Sequence, residues 1–289
     1  MDAGPLLLAL LAAALFGVVP HIQRAALPFT DVRTGALITI ATFALLCWGA
    51  APWFVDHAWW GTKAALIFAL CGLFFPAFSQ TLTLKSVIAI GPNLSSSLGS
   101  VAPLFAALFA IAFLGESLGV QGALGMALLV VGLSLAALGP KGGAPRAFAL
   151  WALFLPIGAS FLRGIAQAVS KLGFTELPSP FFATLVMATV SVLVLALPFL
   201  RPAARAGSKT GTRGNLLFAV NGLAVGGGIF ALNAAISGGA VTVAAPLAST
   251  APLWTFVYGL VFFRTETLSL RLLAVSVVVV LGCALIVTR

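Results

Sequence analysis

The stretch SVAPLF at Ser100–Phe105 returns as STAPLW at Ser249–Trp254, with four of six residues identical and 149 positions between the copies. A long apolar run follows each copy and ends at a glutamate, in FLGESL after the first copy and in FRTETL after the second. These glutamates, Glu116 and Glu266, are 150 positions apart. Similar spacing relates further pairs: Gly132 and Gly282, Leu135 and Leu285, and Arg24 and Lys171. The sequence therefore contains an internal duplication that spans most of its length.

Composition places this duplication in a membrane. Charged residues make up 7% of the 289 residues, whereas a soluble domain carries roughly 25%. Apolar residues reach 61% and the mean hydropathy is +1.17. A soluble fold of this length has too little interior to hide that much apolar surface. The composition therefore predicts a polytopic membrane protein.

Ten apolar runs are long enough to cross the bilayer, since a helix spanning about 30 Å of hydrocarbon needs about 20 residues. Open sheets are excluded because their edge N–H and C=O groups would stay unsatisfied in lipid. We expect an all-α integral membrane protein with two five-helix repeats, residues 1–140 and 148–289, joined by a linker at 141–147. The predicted spans are 5–24, 33–54, 63–84, 92–114, 119–138, 148–172, 180–200, 214–236, 242–263 and 270–288.

Five spans per repeat is an odd number, so the second repeat enters the membrane upside down. Such inverted repeats are related by a pseudo-two-fold axis in the membrane plane and enclose a central cavity that is exposed alternately. Pro103 and Pro252 fall at equivalent positions in spans 4 and 9, and we expect them to bend these helices around the cavity. Relief of helix packing is the alternative. Gly227, in the GGG of span 8, is expected to allow flexibility or close helix approach.

The net charge of +9 is interpreted as a topology signal. The basic residues punctuate the gaps between apolar runs instead of forming an aromatic-rich basic surface, which argues against a nucleic-acid partner. With ten spans, one face receives eleven basic residues and the other receives three, namely Lys63, Lys171 and Arg289. Cytoplasmic loops carry the excess. We therefore expect both termini to lie outside.

An ionisable group inside a span is a functional hypothesis, because burying it costs several kcal/mol. Arg163, in the middle of span 6, is such a group. Its planar guanidinium is suited to binding a substrate carboxylate through two hydrogen bonds. The alternative is that it snorkels to a surface or pairs with backbone carbonyls. Gln167, four residues later, shares its face.

Amides, hydroxyls and aromatic rings inside other spans complete the predicted substrate site. Asn and Gln are costly to bury unpaired, whereas Ser and Thr often only bond to the preceding turn. Aromatic rings can stack against an apolar or aromatic substrate. The predicted site comprises Arg163, Gln167, Gln80, Asn93, Ser97, Ser100, Asn221, Asn233, Ser249, Trp254 and Tyr258.

Several chemistries lack the residues they need. The three cysteines lie inside apolar runs without a CxxC motif, and we expect neither a metal site nor a cofactor. The two histidines lie near no span carboxylate, which argues against an intramembrane enzyme. An ATP motor would need a P-loop. Because no Asp or Glu lies deep in a span, facilitated movement is a simpler hypothesis than proton coupling.

The stretch from Pro103 to Gly132, with FLGESLGVQGALGMALLVVG, is similar to the drug/metabolite transporter superfamily. Two five-helix repeats, a proline in the fourth helix of each and a glutamate closing that helix resemble its ten-helix EamA-type exporters. The whole chain looks like a bacterial exporter of aromatic amino acids. The second copy departs from the pattern, because Arg264 and Thr265 stand where a glycine is expected before the glutamate.

This resemblance implies a transporter that exports small zwitterionic metabolites, amino acids including aromatic ones, by alternating access. One chain holds both repeats, so a monomer suffices, with the lipid bilayer as its surroundings. Broad drug or metabolite efflux is an alternative, although cationic drugs would favour an anionic cavity over one with Arg163. From another class, an intramembrane enzyme or a lipid flippase remains. A flippase would need more charged head-group contacts than Arg163 supplies.

Overall fold

The computed structural model describes residues 3–90, 98–99, 101–137, 150–200, 208–263 and 270–288, and this part of the chain contains helices and turns but no strand. The α-helices are α1 (Ala3–Ala26), α2 (Val32–Phe54), α3 (Lys63–Gly72), α4 (Ser79–Ile90), α5 (Ala102–Leu114), α6 (Gly119–Ala137), α7 (Phe154–Glu176), α8 (Pro180–Ala196), α9 (Thr212–Gly238), α10 (Val241–Ala248), α11 (Ala251–Val261) and α12 (Leu270–Val287). A π-helical segment, Leu73–Phe78, joins α3 to α4, and short 3-10 helices lie at His57–Gly61, Leu150–Leu153 and Leu197–Leu200.

Seven helical stretches are long and apolar enough to cross a membrane. They are Ala3–Ala26, Val32–Phe54, Lys63–Thr83, Leu150–Glu176, Pro180–Leu200, Thr212–Gly238 and Val241–Val261. Shorter apolar helices lie at Ala102–Leu114, Gly119–Leu135 and Val277–Val287. Each of these stretches falls on one of the apolar runs picked out in the sequence. The prediction of an all-helical, multi-pass membrane protein is therefore confirmed, and the linker and its neighbours at 138–149 lie outside the described residues.

The repeated phrase marks a break between two helices rather than a bend within one. In the second copy α10 ends before Ser249, and Thr250 sits at φ −74°, ψ 1°. Pro252 occupies the first turn of α11, where a missing N–H costs nothing. The hydroxyls of Ser249 and Thr250 donate to the carbonyls of Ala245 and Leu247 at 2.8 and 2.7 Å. These bonds add to the backbone N–H bonds that the same two carbonyls already accept at the broken end of α10.

The first copy has the same backbone where it is described. Pro103 again occupies the first turn of its helix, α5. The residue before that helix, Val101, has φ −80° and ψ −4°, which nearly repeats the values of Thr250. The duplicated sequence therefore produces a duplicated local structure.

Glycines bring the two repeats into close contact. The contacts are reciprocal: where a glycine of one repeat packs on a residue of the other, the equivalent glycine packs on the equivalent residue. Gly17 of α1 packs on Trp254 and Thr255 of α11, and its counterpart Gly164 of α7 packs on their counterparts in α5. A Cβ added to Gly164 would lie 2.6 Å from the Cβ of Phe105. Two further pairs of contacts have the same form. Gly72 packs on Met187, and its counterpart Gly222 packs on Thr39. Gly132 packs on Val279, and its counterpart Gly282 packs on Leu129.

The helices sort into two bundles, and each bundle contains helices of both repeats. The first bundle consists of α1 and α2 together with α9, α10 and α11. The second consists of α3, α4 and α5 together with α7 and α8. The bundles meet where α8 contacts α2 and α9, and where α10 contacts α5 and α7. The remaining helices, α6 and α12, pack mainly against each other.

The GGG of span 8 packs α9 closely against the other helices of the first bundle. Gly226 faces the ring of Phe43 in α2, and Gly228 faces the ring of Phe16 in α1. The intervening Gly227 lies within an unbroken α9, with Leu15 beside it. Close helix approach, one of the two roles expected of this motif, is therefore what Gly226 and Gly228 provide.

We expect Gly226→Ala to lower the free energy of unfolding by about 1–3 kcal/mol, because the added methyl overlaps the Phe43 ring in a packed interface. The matched control is Gly49→Ala in α2, where an added Cβ meets nothing within 4 Å. Thermal melting of the purified protein in detergent measures both. Equal melting temperatures for the two variants would contradict this account of α9 packing.

Candidate functional site

Arg163 lies in the middle of α7, at the level where this helix packs most tightly on α5. The next residue, Gly164, contacts the backbone of α5, and Ser160 donates a hydrogen bond to the carbonyl of Gly99 at 3.0 Å. The Arg163 side chain is partly exposed, but its Nε is buried and has no hydrogen-bond acceptor among the described residues. A guanidinium N–H buried without an acceptor is costly. This N–H therefore needs an acceptor that the described residues do not supply.

Gln167 and Lys171 follow Arg163 at intervals of four residues on one side of α7. Arg163 and Lys171 are about 12 Å apart along the helix axis, at about 1.5 Å per residue. Lys171 reaches the first bundle, where its Nζ donates to the carbonyls of Ile236, Ser237 and Gly239 at 2.8, 3.1 and 2.8 Å. This side of α7 therefore faces the first bundle, and Gln167 is buried at that boundary.

Trp254 and Tyr258 lie one turn apart on α11, in the first bundle. Their ring centroids are 6.1 Å apart with an interplanar angle of 40°, and Phe262 extends the row at 6.0 Å from Tyr258. Trp254 and Tyr258 are both partly exposed. The structure brings these two aromatic residues together as the sequence predicted. They belong to the opposite bundle from Arg163 and Gln167.

Asn221 and Asn233 of α9 lie between helices. Asn221 is fully buried, and its Nδ2 donates to Thr39 Oγ1 in α2 at 3.2 Å. Its Oδ1 is buried and finds no donor in the part of the chain that the structure describes. Asn233 donates to Thr184 Oγ1 in α8 at 2.9 Å. These contacts tie helices together, and substrate binding by the two amides stays a prediction.

The other residues of the predicted site fall into two groups. The Ser249 hydroxyl donates a hydrogen bond to the Ala245 carbonyl, at the break between α10 and α11. Gln80 lies in α4, but the described part of the structure does not include its side chain. Asn93, Ser97 and Ser100 lie outside the described residues.

Two charged residues form a corner that the sequence analysis did not include in the site. The carboxylate of Glu116 accepts hydrogen bonds from the backbone N–H groups of Val241 and Thr242 at 2.8 and 2.9 Å. It also accepts one from the Thr242 hydroxyl at 2.6 Å. Lys171 binds the preceding turn and lies close enough to Glu116 to interact electrostatically. We call Glu116, Lys171 and the turn Ile236–Thr242 the α9–α10 corner.

The signal for this corner was present in the duplication. Lys171 and Glu116 each have a counterpart at repeat spacing, Arg24 and Glu266. Glu116 caps a helix that is distant in sequence, namely α10 in the other repeat. Sequence spacing alone does not reveal a cap between residues 125 positions apart.

A cavity of about 310 Å³ adjoins the α9–α10 corner. Its walls are small apolar side chains and backbone from α1 and from the start of α10, namely Pro5, Leu6, Gly238, Gly239, Ala240, Val243 and Ala244. This volume is at the lower end of the range for small-molecule pockets. Among the described residues, no three His, Cys, Asp or Glu side chains cluster closely enough to hold a metal ion.

Comparison with known proteins gives a family and a fold. The profile of the EamA-like transporter family matches twice, at residues 4–138 and 150–288. A solved crystal structure, described only as that of a protein, is 16% identical to this chain and superposes with a TM-score of 0.77. The match covers 99% of this chain and 96% of the other. At this identity the likeness shows the fold alone. No curated protein matches the sequence.

We expect the two buried amides of α9 to respond differently to replacement by leucine. Asn233→Leu loses the bond to Thr184 and should cost about 0.6–1 kcal/mol of stability. Asn221→Leu also loses a bond, to Thr39, but it removes a carbonyl oxygen that is buried without a described donor, so its melting temperature should fall less than that of Asn233→Leu.

Both variants are measured by thermal melting and by transport in proteoliposomes. A lower melting temperature for Asn221→Leu than for Asn233→Leu would contradict this assignment. Loss of transport in a fully folded Asn221→Leu protein would instead make Asn221 a substrate contact.

Proposed function

Because this chain belongs to the EamA-like transporter family, we propose that it carries small zwitterionic metabolites, chiefly amino acids including aromatic ones, out of the cell. The observation that carries the proposal is Arg163 within a membrane-spanning helix, a partly exposed side chain whose Nε has no acceptor among the described residues. A substrate carboxylate would supply the missing acceptor and would match the guanidinium with two hydrogen bonds.

The residues across the boundary between the bundles suit the rest of such a substrate. Gln167 lies one turn from Arg163 and offers both a donor and an acceptor. Trp254 and Tyr258, on the first bundle, present partly exposed rings to an apolar or aromatic side chain. Substrate bound at this boundary would touch both bundles.

Ten spans in two inverted repeats are the arrangement that we propose for the chain. The reciprocal glycine contacts support it, since a two-fold relation pairs residue i with j and j with i. Contacts at the helix ends support it as well. Loops 1–2 and 7–8 would share one face, and there Asp31 N donates to the Lys209 carbonyl at 2.8 Å while Lys209 Nζ donates to the Pro28 carbonyl at 2.6 Å.

Transport by this arrangement would proceed through alternating access, with one bundle rocking against the other. Pro103 and Pro252 begin helices at the two equivalent breaks, which are suited to act as hinges, with Gly227 as a further candidate. We propose facilitated movement, because the described acidic residues lie at helix ends: Asp31, Asp56, Glu116 and Glu176. One chain supplies both bundles, so a monomer suffices.

The proposed location is the inner membrane of a bacterium. The face with the eleven basic residues would lie in the cytoplasm by the positive-inside rule, with both termini outside. Lys63 and Lys171 would then mark the outer face.

The function is tested by uptake of radiolabelled phenylalanine, threonine and an aromatic cation into proteoliposomes, with and without a pH gradient. Uptake of the amino acids without the gradient is expected. Uptake of the cation alone would contradict amino-acid export and indicate drug efflux. Uptake that requires the pH gradient would contradict facilitated movement.

We expect Arg163→Met to reduce phenylalanine uptake by about tenfold or more, since a charge-assisted hydrogen bond contributes about 1.5–3 kcal/mol. Uptake is measured in proteoliposomes with matched amounts of folded protein. Arg24→Met, at the exposed end of α1, is the control and should transport normally. Unchanged uptake by a folded Arg163→Met protein would show that Arg163 does not bind the substrate carboxylate.

A further inference from the structure

The α9–α10 corner connects the two bundles at one end of the molecule. Glu116 follows α5 of the second bundle, and it binds the first turn of α10 in the first bundle through three hydrogen bonds. Lys171, on α7 of the second bundle, binds three carbonyls at the end of α9 in the first. Both charged side chains therefore reach from one bundle to the other.

The two charges match the helix ends that they bind. The end of α9 presents carbonyls and the negative end of its dipole, and the ammonium of Lys171 lies there. The start of α10 presents N–H groups and the positive end, and the carboxylate of Glu116 lies there. If the bundles moved apart at this end, five backbone groups of the turn would lose these partners together.

The cavity lies directly behind this corner, within the first bundle. Pro5 at the start of α1 closes over the turn, and Cβ atoms added to Gly238 and Gly239 would lie 3.2 and 3.0 Å from its ring. Ala244 of α10 lines the cavity and is 3% exposed. The cavity of about 310 Å³ is partly open to the surface, because Gly238 in its wall is exposed.

We propose that the α9–α10 corner is a gate between the bundles, held closed by Glu116 and braced by Lys171. The gate opens when Glu116 leaves the first turn of α10. Glu116 is the latch because its bonds join the two repeats as well as the two bundles. Lys171 holds the turn in the conformation that Glu116 binds. This inference rests on the alternating access proposed above.

The test measures how fast a membrane-impermeant maleimide labels a cysteine at Ala244 in proteoliposomes. The background has Cys47, Cys71 and Cys283 replaced by alanine, so that the introduced thiol is the one that reacts. Glu116→Gln keeps the side-chain size but weakens charge-assisted bonds, and it should speed labelling about tenfold. Thr242→Val removes one of the three bonds to Glu116 and should give a smaller increase.

The matched control is Glu176→Gln, which neutralises an exposed carboxylate at the end of α7 and should leave labelling unchanged. Size-exclusion profiles verify that each variant is folded. Equal labelling of the Glu116→Gln and parent proteins would overturn the gate, as would equal acceleration by Glu116→Gln and Glu176→Gln. Labelling needs no substrate. If Glu116→Gln speeds labelling but the parent moves no amino acid, the gate stands and the proposed substrate fails.

Discussion

Every backbone N–H and C=O inside a bilayer must find its partner within the protein, and this constraint accounts for the polar chemistry of the chain. Helix breaks expose such groups, and side chains bind them at two of the described breaks. At the turn between α9 and α10, Lys171 donates hydrogen bonds to three carbonyls and Glu116 accepts hydrogen bonds from two N–H groups. At the break before α11, the hydroxyls of Ser249 and Thr250 donate hydrogen bonds to two more carbonyls. Against this background the Nε of Arg163, which has no acceptor in the part of the chain that the structure describes, is informative.

The duplication is expressed in contacts between the repeats as much as in the sequence itself. Gly17 and Gly164 hold the first helix of each repeat against the proline-led helix of the other. Neither repeat is a structural unit alone, because each bundle takes helices from both. The interface where a substrate would bind is thus the boundary between bundles and not the boundary between repeats.

Much of the architecture could be predicted because the controlling signals are local. Apolar run length fixed where helices lie, and the position of Pro252 marked an interruption of its span. The resemblance to EamA-type transporters is confirmed at the level of the family. Partnerships between distant segments could not be predicted. Asn221 and Asn233 looked like cavity residues by their cost of burial, yet the partners of their side-chain amides are hydroxyls on neighbouring helices. Lys171 looked like a topology charge, because nothing near it in sequence reveals the three carbonyls that it binds.

The pairing of α6 with α12 has a consequence for biosynthesis. Gly132 and Gly282, which bring these helices together, are made 150 residues apart, one about midway along the sequence and the other late in the second repeat. The last helix of the first repeat therefore enters the lipid long before its main packing partner exists. Its small-residue face must stay in contact with lipid, or with whatever assists insertion, until translation of the second repeat is almost complete. The contact that the first repeat leaves open is thus closed only when α12 has been made.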